Sequence, residues 1–343
     1  MRFGYWMPIF GGWLRNVEDE GMAADWSYVK ALAVESEAAG FDLSLIAELN
    51  LNDIKGHRAP SLDCWTLAPA VAAVTERLEL MLAVRPNYHS PSLTAKALST
   101  LDSIAPGRIS LNVVSSWWKD EATQYGVPFD VHDARYERTE EWLTVLHRLL
   151  TEDVVTHTGA LYDLQGCVME PKPSALPTVY MGGESPKAKE VIGRHGGAYV
   201  MHGDAPDVIA AKIADMDARS DRDFSYGVSG YVIVRDTEQE AQAELARILD
   251  VQASPAAYAS YQDFVAGSQL ESQVSLEEYS VSNRGLRAGL VGTPEQVTAR
   301  IREYEAAGVD LMLLQFSPQR EEMQRFGRDV IAPYEGSRAR AQA

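Results

Sequence analysis

Basic residues are scarce. The chain has 31 Lys and Arg against 49 Asp and Glu over 343 residues, a formal net charge of -18. So acidic a surface repels polyanions, which argues against nucleic acid or an anionic membrane as the main partner. Cysteine is scarcer still: Cys64 and Cys167 lie far apart and outside any CxxC or Cys/His grouping. That usage argues against a structural zinc and for a reducing compartment. No apolar run reaches the roughly 18 residues a membrane helix needs, and no basic leader precedes an apolar segment at the amino terminus. A cytoplasmic location is therefore expected. There is no Walker-type sequence, no GxGxxG, no Ser-x-x-Lys and no His-Glu-x-x-His, so a Rossmann-held nucleotide is not expected. The seven histidines are dispersed. His89 in particular has no visible partner, and no metal site is expected.

What the chain does have is a regular alternation of strand-like and helix-like segments. Arg2 to Pro8, Phe41 to Glu48, Leu78 to Val84, Arg108 to Ser115, Thr178 to Met181, Ala198 to Met201, Tyr226 to Val234 and Leu311 to Phe316 read as strands. Segments with helical spacing separate them, among them Asp25 to Ala39, Leu62 to Thr75 and Ser92 to Ile104. Such alternation specifies a parallel sheet. Eight repeats of it predict an α/β fold, a (β/α)8 TIM barrel, as a single domain over 1–335. Three stretches exceed a bare barrel and are expected as insertions: about 117–131, 154–167 (a hairpin turning at Thr158 to Ala160) and 253–289, the best lid candidate. Residues 336–343 read as a tail.

In such a barrel the chemistry sits at the carboxyl ends of the strands. The most informative of these is Ile109 to Trp118, ISLNVVSSWW, in which Asn112 interrupts an apolar run and Ser115, Trp117 and Trp118 follow. A buried amide needs partners, so Asn112 either satisfies nearby backbone or faces a polar ligand. A second such end, VYMGGES, passes through Gly182 and Gly183 to Glu184 and Ser185 at a helix start. Free amides there bind phosphate, and an ordinary Ser-capped turn is the alternative. His132 and Tyr136, four apart at the start of a helix, share one face and could grip a phosphate or polyol. Trp6, Phe10, Trp13, Trp117 and Trp118 crowd the same mouth and would suit a flat or apolar ligand.

Taken in order, LAVRPNYHSPSLTAKALSTLDSIAPGRISLNVVSSW, HDARYERTEEW, YMGGES, YVIVRDTEQEA, LVGTPEQVTARI and GVDLMLLQF resemble the bacterial luciferase-like flavin monooxygenases over nearly the whole chain. The branch most resembled is that of the reduced-FMN-dependent, two-component alkanesulfonate and dimethylsulfone monooxygenases. The resemblance implies reduced FMN at the carboxyl face, supplied by a separate NAD(P)H-dependent flavin reductase and reacting with O2 as co-substrate to a flavin peroxide. It implies that Ala83, Asn112 and Ser115 lie against the flavin, and that His132, Tyr136, Gly182, Gly183, Glu184 and Ser185 serve its phosphate side. A non-proline cis bond at Leu82 to Val84 is a further expectation of the family. Arg284 in the lid candidate, with Asn112 and Tyr231, carries the catalytic expectation.

Arg85 and Pro86 match the sulfonate branch, but Phe10 stands where those enzymes carry His, and Ser229, Gly230 and Tyr231 replace an Arg-x-His. The expected reaction is oxidative cleavage of a C-S bond in a sulfone- or sulfonate-type small molecule, and the pattern favours a neutral or aromatic substrate over a free sulfonate. Oxidative C-N cleavage of a heterocycle, a flavin included, and flavin binding without catalysis are the alternatives. The family resemblance also implies a homodimer or homotetramer.

Overall fold

A computed structural model of the chain describes residues 1–250 and 281–336. Eight strands close a parallel barrel: β1 (Arg2–Trp6), β2 (Leu43–Ile46), β3 (Glu79–Val84), β4 (Ile109–Val113), β7 (Val179–Met181), β8 (Ala198–Met201), β9 (Ser225–Val234) and β11 (Leu311–Gln315). Pairing runs in that order from β1 to β11, and β11 returns to β1. Each of the eight lies on a predicted strand. Between β4 and β7 an antiparallel hairpin, β5 (Val155–Thr158) with β6 (Asp163–Cys167), fills the expected 154–167 insertion. Its turn lies slightly later than predicted, with the Gly159 amide donating to the Tyr162 carbonyl at 3.0 Å.

Several helices begin at a polar residue that caps them. Asp25 accepts from the Tyr28 amide at 2.9 Å ahead of α1 (Trp26–Ala38), which satisfies one of the orphan donors of its first turn. Capping boxes open the helices Glu238–Leu249 and Pro294–Ala306, through Thr237 with Glu240 and Thr293 with Gln296. The 117–131 stretch, expected as a loop, contains a short helix, Lys119–Gln124. It was not legible because six residues carry too little periodicity to register. A further strand, β10 (Leu290–Gly292), also escaped the sequence; it pairs with the upper part of β9, Val232 to Val234.

The described part of the lid candidate is short. Val281 bridges to Leu14, and Ser282–Ala288 forms a 3-10 turn ended by Gly289 at φ 67°. The remainder of the 253–289 insertion, and of the tail after Gly336, lies outside the described residues. The expected cis bond within Leu82 to Val84 is not present. The cis peptides among the described residues are Glu170–Pro171 and Ser317–Pro318, and β3 instead runs in regular register with β4 through Ala83 and Val84.

Side-chain direction follows from the register. A Cβ on Gly4 would meet Leu43, Leu311 and Leu313 at 2.9–3.3 Å, so Gly4 faces the packed barrel interior. Alternation puts Trp6 on that side too, and parallel partners carry it round through Leu45 and Met81. Ala83, two residues on from Met81, shares the interior face with Asn112 and Tyr180. The base of this interior is closed by Arg2, which donates to Glu79 at 2.6 Å and to the Tyr180 hydroxyl at 3.3 Å.

Candidate functional site

Asn112 is the half-buried amide of the interior face, and its side chain has no hydrogen-bond partner among the described residues. Such a group in a strand is costly unless something polar meets it. Ala83 lies directly beside it, almost fully buried. Just above, Ser115 Oγ lies 2.9 Å from Thr139 Oγ1. Ser116 adopts φ 59°, the one left-handed residue other than glycine among the described residues, and its hydroxyl is buried without a partner. Backbone strain of this kind persists where the surroundings enforce it, commonly at binding sites.

The glycine loop after β7 comes close to α5 (His132–Thr151). A Cβ on Gly183, whose φ is 137°, would lie 2.7 Å from Ala188 Cβ and 3.2 Å from the Tyr136 hydroxyl. The His132 ring is 5.1 Å from that of Tyr136, so the predicted shared face is real. His132 itself is exposed, with Nδ1 2.7 Å from Asp133. Ser185 caps the helix Pro186–His195 by accepting from the Ala188 amide at 3.2 Å, and its own hydroxyl proton remains available to a second acceptor. Glu184 turns away to Lys212 at 2.8 Å, which removes its charge from the loop. Gly182 is exposed.

The aromatic residues divide. Trp6 is half-buried, and its indole N–H is buried without a partner. Phe10 packs edge-on against Trp13 at 6.2 Å. Trp13 is fully buried, and its indole donates to Gln319 at 2.6 Å, so it backs Phe10 from within the core. Trp117 and Trp118 stack at 5.6 Å and 6°, with Trp117 51% exposed at the rim. Tyr231 is buried, and burial first, then the nearby Glu20 carboxylate, pushes its phenol well above the ordinary value. Arg284 belongs to the Ser282–Ala288 turn, and its side chain lies outside the described residues.

Sequence reasoning missed a buried ionic network at the same mouth. His89, expected to lack a partner, pairs through Nε2 with Glu48 Oε1. Glu48 also accepts from the Arg85 amide at 2.8 Å and from its Nε at 3.4 Å. Glu121, on the short helix Lys119–Gln124, pairs with both terminal nitrogens of Arg85. Burial works against the Arg85 charge, yet the Glu121 and Glu48 carboxylates hold its pKa above the ordinary arginine value. The sequence marks Arg85 and Pro86 by resemblance, but nothing in a linear sequence connects them to Glu121. Among the described residues no group of three or more His, Cys, Asp or Glu is arranged to hold a metal ion.

In a closed parallel barrel the chemistry sits at the carboxyl ends of the strands, where Asn112 and the loop from Gly182 to Ser185 lie. The chain belongs to the luciferase-like monooxygenase family, whose model matches residues 1–311. It is similar to the FMNH2-dependent dimethylsulfone monooxygenase of Pseudomonas fluorescens (strain Pf0-1), at 32% identity over 100% of this chain and 97% of that protein. The enzyme of the same description from Pseudomonas putida is 33% identical, over 96% of this chain and 94% of its own length. Among solved structures, the long-chain alkane monooxygenase superposes with a TM-score of 0.83 at 20% identity, over 99% of this chain and 92% of that one.

Proposed function

We propose that this chain is a flavin-dependent monooxygenase that uses reduced FMN and O2 to cleave the C-S bond of an uncharged, sulfone-type small molecule, with the reduced flavin delivered by a separate NAD(P)H-dependent reductase. The observation that carries the reading is the approach of Tyr136 to Gly183 beside an Asn112 amide that lacks a partner. The two dimethylsulfone monooxygenases, similar over their full lengths, support the substrate class.

The residues present fit FMN. Position 183 is a cradle that a Cβ would fill, the loop amides and the Ser185 and Tyr136 hydroxyls suit a phosphate, and His132 adds a donor at the edge. Asn112, with Ala83 and Ser115 around it, would hold the polar edge of the ring system. Reduced FMN, when bound, supplies the two electrons with which O2 is split. In the net reaction a sulfone, O2, two electrons and two protons give an aldehyde, water and a sulfinic acid, which ionises to the sulfinate; the C-S bond breaks and one oxygen atom passes to carbon.

The chain's own part is to bind, orient and keep water out. Trp6 and Phe10 form the apolar wall. Tyr231 keeps its proton at neutral pH, so its hydroxyl can donate a hydrogen bond as well as accept one. Arg284 is our candidate for the group that shields the site from the loop side. We place the protein in the cytoplasm, as a homodimer or homotetramer, which light scattering will test. No helix among the described residues is long and apolar enough to cross a membrane.

Anaerobic titration with chemically reduced FMN, followed by O2 and dimethyl sulfone, should yield aldehyde and sulfinate in equal amounts. Absence of reduced-FMN binding overturns the reading. The stacked Trp117 and Trp118 at the rim favour a second reading, C-N cleavage of a flat nitrogen heterocycle. Product from heterocycles but not from sulfones would select it.

A further inference from the structure

Arg85 is a cation at the carboxyl end of the barrel's interior face. It follows β3 directly, two residues on from the interior-facing Ala83. Yet only 2% of it is exposed, and its guanidinium is fully engaged. It lies 3.9 Å from the Tyr88 ring centroid, meets Glu48 through Nε at 3.4 Å, and faces both carboxylate oxygens of Glu121, which is completely buried. The Tyr88 hydroxyl also donates to Glu121 at 3.3 Å. Two carboxylates thus surround one guanidinium. Counted formally, the sum is one negative charge.

Coulomb interactions are strong where water is excluded, so this sum governs what can enter. A sulfonate or carboxylate would meet a negative wall and would have to displace a buried carboxylate to reach Arg85. A sulfone carries no net charge and meets no such barrier. We infer that Glu121 is a specificity-determining residue, which cancels the Arg85 charge and thereby restricts the site to uncharged substrates. The inference deepens the proposed function and rests on it for the location of the substrate. Rejection arises from a repulsive element built against the wrong ligand, a common route to discrimination.

The test compares methanesulfonate with dimethyl sulfone, binding to the protein saturated with reduced FMN under anaerobic conditions. The readouts are tryptophan fluorescence and equilibrium dialysis. In Glu121→Gln the shape is kept and Arg85 loses one of its two carboxylates, which frees its terminal nitrogens and removes the excess negative charge, so methanesulfonate should bind at least about tenfold more tightly, the worth of one charge-assisted hydrogen bond. Dimethyl sulfone binding should change by less than about threefold. Glu48→Gln removes the other carboxylate and should shift the ratio in the same direction, so a folding failure of one variant leaves the other to decide.

The double variant Arg85→Gln/Glu121→Gln should lose the gain again. Folded single variants that reject methanesulfonate as the parent does overturn the inference, as does a gain that survives the double substitution. Because the comparison is made without oxygen, absence of C-S cleavage would overturn the proposed reaction while the binding ratio still decides the role of Glu121.

Discussion

The Tyr136 hydroxyl stands 3.2 Å from the point that a Cβ on Gly183 would occupy. Helix and loop therefore approach each other as closely as a glycine allows. Gly183→Ala puts a methyl between them, at a φ of 137° that side chains rarely adopt and 2.7 Å from Ala188 Cβ. Binding of reduced FMN should weaken by at least about tenfold, whereas Tyr136→Phe, which removes one hydrogen bond, should cost about 1 kcal/mol. Anaerobic fluorescence titration of both variants will measure this.

Asn112→Leu separates function from stability. The amide has no partner to lose among the described residues, so the folded state should change by no more than about 1 kcal/mol, or gain. Flavin binding and turnover should fall sharply. Urea unfolding alongside flavin titration will check the pair, and a large loss of stability would place Asn112 in the structural framework instead.

Burial pushes the Tyr5, Tyr88 and Tyr180 phenols up to about 12. An unfolded tyrosine ionises near 10. Because the folded values are the higher ones, the fold's advantage from these groups is complete below about pH 10 and declines as pH rises towards 12. Melting temperature should therefore fall steeply between about pH 10 and 12, and tyrosinate absorbance should rise with unfolding rather than before it.

Gly4→Ala tests the barrel interior. The added methyl would press on Leu43 at 2.9 Å, Leu313 at 3.2 Å and Leu311 at 3.3 Å. These are side-chain ends that can yield in part, so a loss of about 1–3 kcal/mol is expected. Thermal denaturation will read it, with flavin affinity in the surviving fold unchanged.

The barrel was legible because its signals are local. Each strand from Arg2 to Phe316 is a short apolar run bounded by turn residues, and helices such as Trp26–Ala38 announce themselves by a capping Asp and a following Gly. Tyr136 and Gly183 could be named separately, since a helical face and a glycine turn each leave a mark on adjacent residues. Their meeting could not be read, nor could the pairing of Arg85 with Glu121, 36 residues apart. Glu121 sits in a six-residue helix where a carboxylate reads as surface. Burial turned it into a buried counter-ion, and burial is a property of the fold, not of the segment.

That counter-ion also bears on how the enzyme can be rebuilt. Glu48 follows β2, Arg85 follows β3 and Glu121 follows β4, and Glu121 further accepts from the Leu51 amide at 3.3 Å. Three successive loops are thereby tied by one guanidinium. Grafting the Arg85 loop alone from a relative would strand two buried carboxylates, and grafting either of the others would break one side of the network, so the three form a single exchangeable module for recombination between family members.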